Sequence, residues 1–101
     1  MILFYITCKN KKEAEFISEI LLKKKLVACT NYFKINSMYH WKKRLVRDNE
    51  FVLIAKTTEK NTINIEKEVL KIHSYSIPCI IRLNTDANKA YLNWLNSEVK
   101  K

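Results

Sequence analysis

Glycine is missing from this 101-residue chain, and proline occurs once, at Pro78. Without glycine there is no phosphate-cradling loop and no dinucleotide fingerprint, because both need backbone that a Cβ would hold away from the phosphates. Turns lose their usual marker as well, so element ends must be read from periodicity. No apolar run approaches the roughly 18 residues of a membrane-spanning helix, and a soluble protein is expected with no membrane partner. Cysteines number only three, Cys8, Cys29 and Cys79, and cannot all pair. No signal-like segment precedes the strand-like run from Ile2, so the expected setting is reduced and cytoplasmic.

Acidic residues are scarce too, 10 against 19 Lys and Arg, for a net charge of +9. Such a surface invites a nucleic-acid reading through counterion release at phosphates. Arginine, the better phosphate fork, stands only at Arg44, Arg47 and Arg82. Abundant Lys, Asn and Ile with no Gly is the imprint of an A+T-rich coding sequence. The charge is therefore read first as compositional, and nucleic acid as a disfavoured partner.

What is present is apolar. Hydrophobic residues make up 48% of the chain, with two Trp, five Tyr and four Phe, enough to bury one core in a single domain over residues 1–101. Ile2–Cys8 is apolar on both faces and predicts a central strand. From Lys11 the period becomes helical through Ala14, Ile17, Ile20 and Leu21, with Glu13, Glu15 and Glu19 on the polar face and Asn10 as N-cap. An extended stretch opens at Leu26 and runs to Trp41. Its partner strand is placed at Glu50–Thr58, and the turn of the long hairpin falls somewhere in Lys42–Asn49, with Leu45 and Val46 as extended continuation. A second helix spans residues 61–72. Pro78 starts a strand through Cys79–Leu83, and a last helix near Lys89–Glu98 sets Ala90, Tyr91, Trp94 and Leu95 against something apolar.

Strand, helix, strand, strand, helix, strand is the order of the ferredoxin-like βαββαβ fold, an α+β class with a four-stranded antiparallel sheet and, here, a long central hairpin and a short C-terminal helix. Both helices cover one sheet face. Tyr32, Phe33, Tyr39 and Trp41 are expected on the other, where an exposed apolar patch implies self-assembly.

Five ordered segments then resemble the CutA divalent-cation-tolerance family over nearly the whole chain: Leu26–Asn31, Ser37-Met38-Tyr39-His40-Trp41, the strand Glu50–Thr57, the corner His73-Ser74-Tyr75-Ser76-Ile77-Pro78, and Tyr91–Leu95. The resemblance implies a homotrimer with edge-to-edge strand pairing, a role in divalent-metal tolerance or response, and copper binding. It also implies a cleft between subunits lined by Asn31, Tyr39, Trp41, Lys56 and Tyr75, with Lys56 facing an anionic ligand. Where the family has Gly two residues after the Trp this chain has Lys43, and where it has Glu after the Pro it has Cys79.

Cys29, His73 and Cys79 are the candidate metal ligands, with Cys8 as a further thiol. Thiolate and imidazole suit copper or zinc, though the spacings make no short ligand motif and no cofactor is obligatory. Each has a structural reading beside it: Cys29 as a small buried hydrophobe, His73 as a helix C-cap, Cys79 as sequence drift, and Tyr39, Trp41 and Tyr75 as subunit packing. His40 is out of phase with its neighbours and is read as exposed. No catalytic constellation stands out, the acidic residues being assigned to helix surfaces and the Asp48–Glu50 turn, so the chain is not read as an enzyme. Acylphosphatase-like chemistry would need the missing glycine loop. Two other classes share the topology: a PII-like small-molecule signalling trimer and a basic RNA-binding module. The latter needs aromatics in a Gly-containing strand context that this chain lacks.

Overall fold

The computed structural model describes all of Met1–Lys101. Its elements are β1 (Ile2–Cys8), α1 (Lys11–Lys23), β2 (Cys29–Trp41), β3 (Arg44–Thr57), α2 (Thr62–Ile72), β4 (Ile80–Asn84) and α3 (Lys89–Glu98), with a 3₁₀ turn at Glu59–Asn61. The strands form one antiparallel sheet in the order β2-β3-β1-β4. This is the α+β, ferredoxin-like architecture that the element order predicts.

Alternation along β1 sorts the two faces. Ile2, Phe4, Ile6 and Cys8 are buried, while Leu3, Tyr5 and Thr7 between them are half-buried. The buried set joins Leu53 and Ala55 of β3, Ala14, Ile17 and Leu21 of α1, and Ile65 and Val69 of α2 in the core. Each large side chain hidden there stabilises the fold by about 1.5–3 kcal/mol. The opposite face carries Leu3, Tyr5, Phe33, Ile54, Ile81 and Leu83 by register, and Phe33, Ile81 and Leu83 are each exposed by 44–45%.

Helix ends follow their local chemistry. Asn10 Oδ1 accepts from Glu13 N–H at 2.9 Å, as an N-cap should. At the other end of α1, Leu26 N–H bonds Leu21 O and Lys25 N–H bonds Leu22 O, both at 3.0 Å. This paired arrangement normally places glycine at the left-handed position. Here Lys25 takes it, at φ 57°. Leu26 and Val27 lie in this exit from the helix and are buried, so β2 begins at Cys29, later than the extended stretch suggests.

The hairpin differs more. Its turn is only Lys42-Lys43, at φ 49° and 66°, the paired positive φ of a two-residue turn whose twist matches the strands. β3 therefore starts at Arg44, six residues before the expected Glu50. Without Asn-Gly the sequence carries no mark of this turn. Only Phe51–Thr57 of β3 pair with β1, so the segment before them pairs with β2 alone and projects as a two-stranded arm.

Two further expectations change. Tyr32 lies on the helix-covered face, its hydroxyl donating to Glu15 of α1 at 2.9 Å, whereas Phe33, Tyr39 and Trp41 have the opposite parity. In α3 only Leu95 is buried, with Val99 just beyond; Trp94 and Ala90 remain exposed.

Candidate functional site

Two groups of side chains meet where the first strand ends. The first lies on the covered side. Glu13, at the third position of α1, reaches back past its own cap, and Oε1 accepts from Lys9 N–H at 2.9 Å. Its Oε2 accepts from Ser74 N–H, also at 2.9 Å. One carboxylate thus ties the start of α1 to the turn after α2. Burial alone would raise its pKa, but these hydrogen bonds bring it below the ordinary carboxylate value.

His73 follows the last residue of α2, its backbone N–H still bonded to Val69 O. Its Nε2 lies 2.7 Å from Thr7 O, and Tyr75 N–H donates to Nδ1 at 3.1 Å. A carbonyl partner makes Nε2 the protonated nitrogen, so the ring is the Nε2–H tautomer. Cys8 Sγ completes the group: donor atoms of Cys8, Glu13 and His73 all lie within 4.8 Å of one another. Burial first, then the Glu13 and Glu50 carboxylates, push the Cys8 thiol up to about 12.

The second group is a cleft on the uncovered face, about 660 Å³ in volume. Its floor and walls include Thr7, Cys79 and Glu50, with Tyr39, Trp41 and Asp48 from the projecting arm and Tyr75 and Ile77 from the turn. Tyr75 donates its hydroxyl to Glu50 Oε2 at 2.6 Å. Burial and that carboxylate raise the Tyr75 phenol far above its usual range. Burial, with Asp48 and Glu50 beside it, raises the Tyr39 phenol as well. The two groups touch through His73 and Tyr75, whose ring centroids are 4.9 Å apart.

The residues named from sequence distribute unevenly. Tyr39, Trp41, Tyr75 and Cys79 come together in the cleft. Asn31 and Lys56 share the same face but belong to the far end of β2 and β3, eight residues along each strand from Tyr39 and Asp48. At about 3.4 Å per residue that is some 27 Å, so one subunit does not bring them to the cleft. Lys56 instead lies 5.5 Å from the Tyr91 ring centroid. Within one subunit, a ligand in the cleft meets Asp48 and Glu50 and not that subunit's own Lys56.

The trio of Cys29, His73 and Cys79 is likewise dispersed. Cys29 sits at the Lys56 end, where its Sγ contacts Thr30 O at 3.8 Å. Cys79 belongs to the cleft, and only His73 joins the donor cluster. The other two members were legible in part: Cys8 as a spare thiol, and Glu13 through the Asn10-x-x-Glu13 spacing of a capping box. Glu13 and Glu50 are 8% and 6% exposed, which corrects their assignment to a helix surface and a turn. Glu50 is inside β3 because the hairpin has already turned at Lys42-Lys43.

Comparison with known proteins agrees with this architecture. The family described as CutA1 divalent ion tolerance protein matches residues 2–98. A divalent-cation tolerance protein CutA of Thermotoga maritima is 41% identical over 100 residues, covering 98% of this chain and 99% of that one. Among solved structures, CutA1 of Pyrococcus horikoshii superposes with a TM-score of 0.96 at 34% identity, covering 100% of both chains. A CutA of Archaeoglobus fulgidus, described as periplasmic, superposes at 0.95 with 36% identity, covering 99% of this chain and 100% of that one. No helix here is long and apolar enough to cross a membrane. With match, identity and topology in accord over nearly its full length, the chain belongs to the CutA1 divalent-ion-tolerance family.

Proposed function

We propose that this protein serves divalent-cation tolerance as a homotrimeric metal-binding protein, holding a borderline metal such as zinc or copper through Cys8, Glu13 and His73. The observation that carries this reading is the convergence of a thiol, a carboxylate and an imidazole within 4.8 Å. Those donor types suit zinc and copper. A bound metal would supply a positive charge between a carboxylate and a thiol that burial now keeps protonated. Binding therefore releases the Cys8 proton and displaces one of the two hydrogen bonds at the His73 ring. Affinity is expected to rise with pH for that reason.

Self-assembly is supported by the uncovered sheet face, where Phe33, Ile81 and Leu83 stay exposed, and by the open edges of β2 and β4. Three unpaired cysteines support a reduced, cytoplasmic setting.

The test is calorimetric titration of zinc and copper into the wild type and the His73→Ala and Cys8→Ala variants, with mass by light scattering on the same samples. The reading requires a saturable metal site that both substitutions weaken at least about tenfold. Equal affinity in all three proteins would refute it.

A further inference from the structure

The cleft on the uncovered face has a chemistry of its own. Glu50 is 6% exposed, and its charge is not balanced from within the chain. The ion pairs are Lys24 and Lys71 with Glu68, and Arg82 with Glu66; none reaches Glu50 or Asp48. Of the Glu50 oxygens, Oε2 accepts from the Tyr75 hydroxyl, while Oε1 has no hydrogen-bond partner within the chain and the residue borders the cleft. The second oxygen of this carboxylate is thus left for a group that enters the cleft. Two residues earlier on the same face of β3 is Asp48, so the cleft holds two carboxylates in a chain whose net charge is +9.

Around these carboxylates stand aromatic rings. Tyr39 and Trp41 come from β2, Tyr75 from the turn after α2, and Ile77 adds an apolar wall. Faces of Trp and Tyr attract organic cations, and the attraction grows when water is excluded. A hydrated inorganic ion gains little from such walls. An anionic nucleotide would be repelled by the carboxylates. The space, about 660 Å³, is of the size that accepts small organic molecules.

From these observations we infer that the cleft binds a small organic cation, an alkyl ammonium or guanidinium whose charge meets Glu50 and Asp48 and whose carbon chain lies against Trp41, Tyr39 and Ile77. The site is separate from the Cys8, Glu13 and His73 donors and does not depend on metal binding there. Tyr75 borders it, and its backbone N–H bonds His73. A ligand that draws Glu50 away from the Tyr75 hydroxyl acts on the same turn that holds the imidazole.

Trp41 lines the cleft and makes a built-in reporter once the other tryptophan, the exposed Trp94, is replaced by Phe. The experiment titrates agmatine, which joins a guanidinium and an ammonium by a short alkyl chain, into the full-length Trp94→Phe protein while Trp41 fluorescence is followed. Saturable change is expected, with about a tenfold weaker midpoint in Glu50→Gln and in Asp48→Asn. Gln at position 50 retains an acceptor for Tyr75. Asp48 is exposed, so Asp48→Asn keeps the test open if the first variant folds poorly. Butanol and succinate, lacking the positive charge, are expected to leave the signal unchanged. Four results overturn the proposal: no saturable response to agmatine, a midpoint in both variants unchanged from the parent protein, saturation by butanol or succinate, or displacement of agmatine by magnesium at equal concentration. Loss of assembly in Glu50→Gln without agmatine binding in the parent would show instead that a neighbouring subunit's lysine or arginine fills the cleft. Zinc affinity in Cys8→Ala tests the metal site separately, so the two ideas fail independently.

Discussion

Replacing Glu13 by Gln removes a charge but little volume, and its cost can be worked from the geometry. The carboxylate accepts two backbone N–H groups at 2.9 Å, from Lys9 and Ser74. A hydrogen bond to a charged acceptor contributes about 1.5–3 kcal/mol. Glutamine keeps one oxygen for one of these donors and turns its NH₂ toward the other, leaving that donor unpaired. At 8% exposure, water does little to repair the loss. The expected destabilisation at neutral pH is about 2–3 kcal/mol. With a urea m-value of about 1–3 kcal/mol per molar, this shifts the midpoint by about 0.7–3 M. The sign of the pH dependence follows from the lowered pKa. A carboxylate whose folded value lies below its ordinary 4.5 contributes stability that is present above 4.5 and is lost as pH falls through the folded value. The gap between wild type and Glu13→Gln should therefore close in acid. Urea unfolding at one fixed protein concentration, at neutral and at acid pH, reads both effects. A change below about 0.5 kcal/mol at neutral pH, or a gap of the same size in acid, would refute the clamp.

Two other outcomes follow from the fold. Lys43→Gly in the hairpin turn relieves a side chain held at φ 66°, and the expected gain is about 0.5–1 kcal/mol in the same urea assay; a loss would mean that Lys43 makes contacts that outweigh its backbone strain. Leu83→Lys puts a charge on the uncovered face without touching the core, and light scattering should then fall toward the mass of one 12.0 kDa chain; an unchanged mass would place the subunit interface elsewhere.

Much of the fold was legible because its signals are periodic. β1 and α1 announce themselves by spacings of two and of 3.6 residues, and Asn10 caps where its chemistry says it should. The hairpin turn was not legible, because lysines occupy the left-handed positions at residues 42 and 43 that glycine usually marks. That displaced the start of β3 and with it the reading of Glu50, which is buried in a strand and not part of a turn. Tyr32 shows the same sensitivity: strand side chains alternate, so the ring next to Phe33 faces α1 instead of the open face. The trio of Cys29, His73 and Cys79 is dispersed within the subunit for a different reason. Cys29 and Cys79 share a residue type with Cys8, and only the topology, which sets the end of β1 beside the start of α1 and the end of α2, selects the thiol that meets His73.

The choice among thiols also provides the most direct test of the metal site. Cobalt(II) bound by a thiolate shows a sulfur-to-metal charge-transfer band, which neither carboxylate nor imidazole ligation produces. Titrated with cobalt, the wild type should develop that band, as should Cys29→Ala and Cys79→Ala, while Cys8→Ala should not. A band that survives in Cys8→Ala, or that disappears with Cys29 or Cys79, would contradict a site built from Cys8, Glu13 and His73.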